Sequence, residues 1–389
     1  MKRTTFSIIS LAALASAGAA HAQSSVTLYG AIDTSLTYVH NAQGNKNLWA
    51  LGNSSAGNLS GTRWGLKGTE DLGAGLKAIF QLENGFDPST GKLGQGSRLF
   101  GRQAYVGLTS DSLGSVTLGR QYDPLIDLVQ GITEDNYFGS AFATAGDVDN
   151  YDNSFRVNNA VKYTSPVWSG LQFEAMYSFG GIAGSTGSEQ SYSAAAAYNN
   201  GPIALAAGYF YAANSPASAG LRSPTAGWNS TSDGTFDGPI NSGYQTAHSL
   251  GIARVAGQYT LGQFTLGAAY SNSQYRRDSA SVFASNEKYN MGQGFVNYQA
   301  TKALLVGLGY SYTKSSGDTS ATYHQVSLGA DYSLSKRTDV YVTAAYQHAS
   351  GETGNGTGGT MAAQASIGSY GYAGTSTQEM VNLGLRHKF

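Results

Sequence analysis

Apolar and polar residues alternate along much of this chain. Leu76, Ala78, Phe80 and Leu82 interleave with Lys77, Gln81 and Glu83, and Leu171, Phe173, Ala175 and Tyr177 interleave with Gln172, Glu174 and Ser178. The same repeat of two runs through Phe264 to Tyr270, Val326 to Tyr332 and Val340 to Tyr346. It returns in the last ten residues, where Val381, Leu383 and Leu385 share one parity, Asn382, Gly384, Arg386 and Lys388 the other, and the chain stops on Phe389. A period of two sends the two sets to opposite faces of an extended strand, so each segment predicts a strand with one greasy and one wet face.

A soluble β-sandwich also alternates, but two features weigh against it. Lys77, Glu83, Glu174 and Asp331 lie in the middles of the wet faces. The segments also run to about ten residues, enough to cross a membrane at a tilt, whereas sandwich strands are nearer five or six. Tight Gly, Asn, Asp or Pro turns fall at 71–75, 110–114, 166–170, 199–202, 260–262, 300–302 and 334–337. Between successive turns lie two alternating segments joined by a longer, more polar connection. Seven such turns joining eight hairpins predict an all-β fold, a transmembrane antiparallel β-barrel of 16 strands, even in number as a closed bacterial barrel requires. The tight turns are expected at the periplasmic rim and the long loops outside.

Three connections are long. Residues 213–243 and 350–375 are rich in Gly, Ser, Thr and Ala and read as exposed tips. The stretch from Asp123 to Asn153 differs, because Asp123, Asp127, Glu134, Asp135, Asp147, Asp149 and Asp152 stand among Leu125, Ile126, Leu128, Val129, Tyr137, Phe138 and Phe142. So mixed a loop is expected to pack one face against the inner wall of the barrel.

The front of the chain reads as an export signal over residues 1–22. Lys2 and Arg3 precede an apolar run from Ile8 to Ala20, and Ala20-His21-Ala22 offers a cleavage site before Gln23. The barrel domain is then 23–389. No later run of eighteen apolar residues exists to make a spanning helix, so a membrane location rests on the strands. Composition agrees: 12% charged residues, 52 Gly, 26 Tyr and 7 Pro suit strands and turns rather than a soluble helical bundle. Without Cys there is no disulfide, and closure must come from strand pairing. Removing Lys2 and Arg3 from the 23 basic residues leaves 21 against 24 acidic, a net −3 that does not suggest a nucleic-acid partner.

Catalytic readings fare poorly. His40, His248, His324, His348 and His387 are scattered, with neither a His-Glu-x-x-His spacing nor a Gly-x-Ser-x-Gly elbow. His248 and Ser249 are adjacent, which in a strand sends them to opposite faces. Asp147, Asp149 and Asp152 could supply hard oxygen ligands but lack the Gly and bidentate Glu of a calcium loop. The run Gly354 to Gly359 has no helix after it to receive a phosphate. Neither cofactor nor metal is expected.

Strand parity puts Arg63, Lys67 and Lys77 on the wet face. Arg98, Arg102 and Arg120 share the parity of Val106, Leu108 and Leu118 unless a bulge shifts the register. Tyr29, Trp64, Trp168, Tyr177, Tyr198 and Tyr310 fit aromatic girdles at the two membrane interfaces.

The chain resembles the general porins of Gram-negative bacteria, in particular the trimeric porins of neisserial and Burkholderia type. The resemblance is carried by Ser25 to Gly30, Thr62 to Gly73, Leu76 to Glu83, Gly101 to Leu108, Val116 to Asp123, Asn158 to Pro166, Tyr332 to Gln347 and Gly384 to Phe389. Where that family often has Pro-Glu-Phe-Gly in its third loop, this chain has Tyr137-Phe138-Gly139. The resemblance implies a homotrimer of 16-stranded barrels in the outer membrane, each with an inward-folded third loop that narrows the lumen to a constriction. It also implies pore-lining places for Arg102 and Arg156.

The expected constriction has a basic wall of Arg63, Lys77, Arg102 and Arg156. Opposite it stand Glu83 from the wall with Asp123, Asp127, Glu134 and Asp135 from the loop. Phe389 is the expected membrane-insertion residue. Expected partners are other copies of the chain, outer-membrane lipids and lipopolysaccharide, the outer-membrane assembly machinery, and small hydrophilic solutes and ions. The function expected is passive diffusion through a water-filled channel. The rival readings are a substrate-selective channel with a saturable site, an outer-membrane enzyme, and a closed barrel for adhesion or anchoring.

Overall fold

A computed structural model describes residues 24–52, 58–215, 228, 236 and 238–389. The signal peptide expected over 1–22 and most of the 213–243 connection lie outside the described residues. Among the described residues eighteen strands form one antiparallel sheet: β1 Ser25–Gln43, β2 Lys46–Gly52, β3 Arg63–Gly73, β4 Leu76–Gly85, β5 Gln103–Ser110, β6 Gly114–Gln121, β7 Val157–Thr164, β8 Leu171–Ser178 and β9 Ser191–Asn200. There follow β10 Ile203–Ala213, β11 Ser249–Leu261, β12 Phe264–Arg276, β13 Glu287–Gln299, β14 Leu304–Ser316, β15 Ser320–Ser333, β16 Thr338–Gly354, β17 Thr360–Ala362 and β18 Thr377–Lys388.

These make a closed barrel of 16 wall strands. β2 and β3 are two parts of one wall strand, since β2 pairs with Ser35 to Gln43 of β1 and β3 with Ser25 to Ala31. β17 is a three-residue extension on β16. The ring closes where β1 pairs with β18, from Ala31↔Lys388 to His40↔Glu379, and a last pair of backbone hydrogen bonds joins Gly30 to Phe389, 3.0 Å in each direction. The Phe389 ring lies over Gly30, where any Cβ would fall 2.5 Å from it.

All seven tight turns fall between paired strands as expected. Two opposite connections are shorter than their sequence suggested: residues 44–45 join β1 to β2, and 317–319 join β14 to β15. Apolar residues of one parity face outward and are exposed, among them Val26, Leu28, Val106, Leu328 and Leu383. Tyr29 is a correction to the girdle assignment, because it shares the inward parity of Asp33 and its hydroxyl donates to Glu83. Trp168, Tyr198 and Tyr310 are exposed on the outer face.

The apolar core lies inside the ring. The segment 122–156 carries a short helix, α1 (Pro124–Leu128), capped by Asp123, and a second, α2 (Asp135–Phe138). Its Leu125, Val129, Val148, Tyr151 and Phe155 cluster with inward residues of β10 to β15, including Phe210, Ile252, Tyr275, Tyr289 and Tyr323. Gln293 donates to the Phe142 carbonyl at 2.9 Å, Gln325 to the Ala143 carbonyl at 3.0 Å, and Ser271 to the Asp149 carboxylate. Glycines on the inward faces of β14 and β15 leave the room: a Cβ at Gly307 or Gly329 would fall 2.1 or 2.3 Å from the Phe138 ring, and one at Gly309 1.7 Å from Glu134.

The 350–375 connection is an exposed tip only in its first half, where 355, 357–360 and 362 are exposed, and its second half turns inward. Ala365, Ser366 and Ile367 are fully buried, the Ser366 carbonyl accepts from Gly146, and Ser369 donates to Asp152 at 2.6 Å. Backbone groups that meet inward-facing amides are satisfied there, which small polar residues permit at little steric cost.

Phe138 is the anchor of the inner segment, with no exposed surface and its ring 4.9 Å from that of Phe142. Phe138→Ala should weaken docking of the segment by about 3–5 kcal/mol. Limited proteolysis in detergent should then cleave within 123–156, while the lipid-facing control Phe264→Ala stays resistant; equal resistance of the two variants would contradict the packing described.

Candidate functional site

A polar cavity of about 810 Å³ lies beside the inner segment. Five basic side chains line it, Arg63, Arg102, Arg156, Arg386 and Lys388, against three acidic ones, Glu83, Asp135 and Asp152. They come from widely separated parts of the chain. Arg63 opens β3, Glu83 sits near the end of β4, Arg102 directly precedes β5, Arg156 directly precedes β7, and Arg386 and Lys388 lie on the wet face of β18.

Glu83 organises the basic side. Its Oε1 accepts from Arg102 Nε at 2.6 Å and from the Tyr122 hydroxyl at 3.1 Å, and its Oε2 accepts from Tyr29 at 2.8 Å with Arg63 Nε at 3.8 Å. Tyr122 stands between two arginines: Arg102 Nη2 donates to its hydroxyl at 2.6 Å, and the guanidinium carbons of Arg102 and Arg156 lie 5.8 and 5.5 Å from its ring centre. The ring's negative face offsets the repulsion between the like charges it separates. Arg386 is held from behind by a forked pair to Asp339, 3.0 and 3.1 Å, with Asp331 at 3.5 Å.

Arg156 is differently placed. It donates to the Ser154 carbonyl at 3.2 Å and no carboxylate pairs with it among the described residues. Burial, then Arg102 beside it, lower its pKa to about 10, so it remains a full cation at neutral pH.

The expected acidic half is dispersed. Asp135 lines the cavity, where it accepts from Thr133 Oγ1 at 2.5 Å and Gln130 at 2.9 Å, and burial raises its pKa to about 7. Asp123 does not line it; it caps α1 by accepting from the Leu125 amide at 2.8 Å, and burial raises it to about 6. Asp127 pairs instead with Lys162 of β7, which also donates to the Tyr122 carbonyl at 3.1 Å. Glu134 is packed against β14, and burial, then Asp135, raise it to about 9, so it is neutral at pH 7. Lys77 is a further correction. It sits six residues from Glu83 near the turn end of β4, pairs with Asp111 at 3.7 Å, and lies about 20 Å along the strand from the cavity.

Parity alone could not place Arg102 and Arg120. Arg102 precedes its strand and so escapes the alternation, and the β6–β7 register shifts between Gly119 and Gln121, turning Arg120 inward to donate to the Gly101 carbonyl at 2.8 Å. Gly119 takes φ +139°, a conformation that favours glycine. Tyr122, Asp152, Arg386 and Lys388 went unassigned in the sequence. The wet parity of β18 was signal enough for the last two, whereas nothing local marked Tyr122.

A family model for Gram-negative porins matches residues 9–352. The chain is similar to an outer membrane porin protein of Bordetella pertussis, 32% identical over 89% of this chain and 94% of that protein. Among solved structures it is similar to an anion-selective porin from Comamonas acidovorans, at TM-score 0.71 and 25% identity over 94% of this chain and all of that one. It also shares its fold with the trimer form of OmpT from Vibrio cholerae, at TM-score 0.64 and 17% identity over 94% and 99% of the two chains. A closed antiparallel barrel is the architecture this chain shares with these structures. The chain thus belongs to the Gram-negative porin family, outer-membrane barrels that pass ions and small hydrophilic solutes by diffusion.

Proposed function

We propose that this channel favours small anions, that its constriction is the cavity between Glu83, Arg102 and Arg156 on one side and Asp135 and Asp152 on the other, and that it acts as a homotrimer without enzymatic chemistry. The carrying observation is the charge balance of that cavity, five cations to three carboxylates, with Arg156 uncompensated. Low-dielectric walls focus such a field on passing solutes, so anions enter more readily. The anion-selective porin among the similar structures supports this reading, as the OmpT trimer form supports the trimer. Phe389, paired to Gly30 at the closing seam, is the segment we assign to recognition by the assembly machinery, and the exposed apolar belt is the surface we assign to outer-membrane lipids and lipopolysaccharide.

Single-channel recording in planar bilayers tests the proposal. Stepwise currents in threes with anion-favouring reversal potentials are expected. Current blocked by micromolar amounts of one solute would favour the substrate-selective rival instead. Replacing Arg63 and Arg102 together by Gln should move the reversal potential toward cations, by about fourfold in permeability ratio per charge at ~5 Å in water. Arg156→Gln should shift it further than Arg386→Gln, because Asp339 and Asp331 already offset Arg386; the reverse order would refute the assignment.

Selectivity should also follow pH. A carboxyl with a raised pKa is neutral below it and gains its negative charge above it. Asp135, raised to about 7, therefore makes the cavity less positive as pH rises from 6 to 8, and anion preference should fall over that window. Asp135→Asn should flatten the profile, and an unchanged slope in that variant would remove Asp135 from the constriction.

A further inference from the structure

The outer face distributes its charge unevenly. Strand register stacks its outward residues in level rows. Leu266, Val296, Leu308 and Leu328 make one row across β12 to β15. Two residues further along each strand, toward the exterior, come Tyr310 and Tyr346, and then Tyr270, Tyr312, His324 and His348. The next row brings Asn272, Asn290, Lys314 and Thr322, and the one after it Gln274 and Lys288; Arg276 stands two residues beyond Gln274 on the same face. From hydrocarbon to water the face therefore reads apolar, aromatic, then basic. Tyrosines mark the interface level, so cations just beyond them stand where lipid headgroup phosphates lie.

The basic level is held in shape. Asn272 donates to Asn290 at 2.9 Å, Tyr270 donates to Asn290 at 2.8 Å, and Gln274 donates to Asn272 at 2.7 Å. Lys314 donates to Ser320 at 2.9 Å and Thr322 at 3.0 Å, which leaves one ammonium hydrogen for a ligand. Among the described residues no carboxylate pairs with Arg276, Lys288 or Lys314. The nearby acids are engaged or displaced. Asp278 faces His248 at 3.6 Å, Asp318 accepts from the Ala284 and Ser285 amides, Glu287 is buried inward, and Glu352 and Glu379 stand on β16 and β18, away from β12 to β14.

We propose that Arg276, Lys288 and Lys314 form a docking surface for the phosphates of lipid A, the phosphorylated glycolipid of the outer leaflet, with its acyl chains on the apolar row below. Three cations without a carboxylate partner stand on three adjacent strands, each stepped about 5 Å sideways and about 7 Å along the strand from the next, a spread that complements a headgroup bearing more than one phosphate. This rests on the reading that lipopolysaccharide surrounds the barrel and is independent of selectivity in the bore.

Binding of bisphosphorylated lipid A to the detergent-purified protein, followed by native mass spectrometry, tests it. The wild type should bind it, and R276Q/K288Q/K314Q should bind at least about tenfold more weakly. K302Q/K336Q, which removes two lysines from turns at the other rim, should bind like the wild type. Dephosphorylated lipid A should bind the wild type no better than the phosphorylated form binds the triple variant. Unaltered single-channel conductance of that variant establishes that it is folded. Undiminished binding by the triple variant, an equal loss in the turn variant, or displacement by equimolar phosphatidylglycerol each overturns the assignment. A wild type that binds neither form of lipid A overturns the surrounding-lipid reading with it, a result distinct from failure of this surface alone.

Discussion

Inside a bilayer no water is present to satisfy backbone N–H and C=O groups, and each left unpaired costs several kcal/mol, so the sheet of this protein must have no free edge. That requirement sets everything else. It makes β18 return to β1, brings the terminal Phe389 backbone against Gly30, and allows β2 and β3 to share one wall position provided each pairs with its own half of β1. A ring of 16 strands is too wide for wall side chains alone to fill. The space left over is where function resides.

Part of that space is filled from within, and asymmetrically. Apolar residues of the 122–156 segment pack with the inward faces of β10 to β15, where Gly307, Gly309 and Gly329 leave hollows for Phe138 and Glu134. The polar cavity remains on the side of β3 to β5 and β18, whose inward residues are charged. Packing on one flank thus places the opening against the arginines on the other. Burial also alters the acids that the segment carries. Glu134, raised to about 9, loses its charge at neutral pH and serves as a packing group, because an unpaired carboxylate in so dry a place is far costlier than its neutral form.

The arginines are usable because they are braced. Glu83 and Tyr122 hold Arg63, Arg102 and Arg156 close together in fixed positions, at the expense of one compensating charge, whereas Arg386 is largely offset by Asp339 and Asp331. Counting basic residues in the bore overstates the field; counting those without a carboxylate behind them gives its direction.

The sequence by itself determined the barrel. Alternation at period two, punctuated by short turns, is local information, and it set the strands, their faces, the strand number and the inward parity of Arg63 and Glu83. It also marked the Asp123 to Asn153 loop as a packing segment, through its mixture of acids and apolar residues. Only the tertiary structure decided which charges meet. Lys77 shares the parity of Glu83 but lies far along the strand, and Asp123 and Asp127 were drawn off to a helix cap and to Lys162. The second half of the 350–375 segment, loop-like in composition, turned inward, where the buried Gln347 amide accepts from the Ser366 N–H and donates to the Ser366 carbonyl. Parity fixes a side of the wall and nothing more; height along the bore and choice of partner arise from register, bulges and the path of the inner segment, all set by contacts between residues distant in sequence.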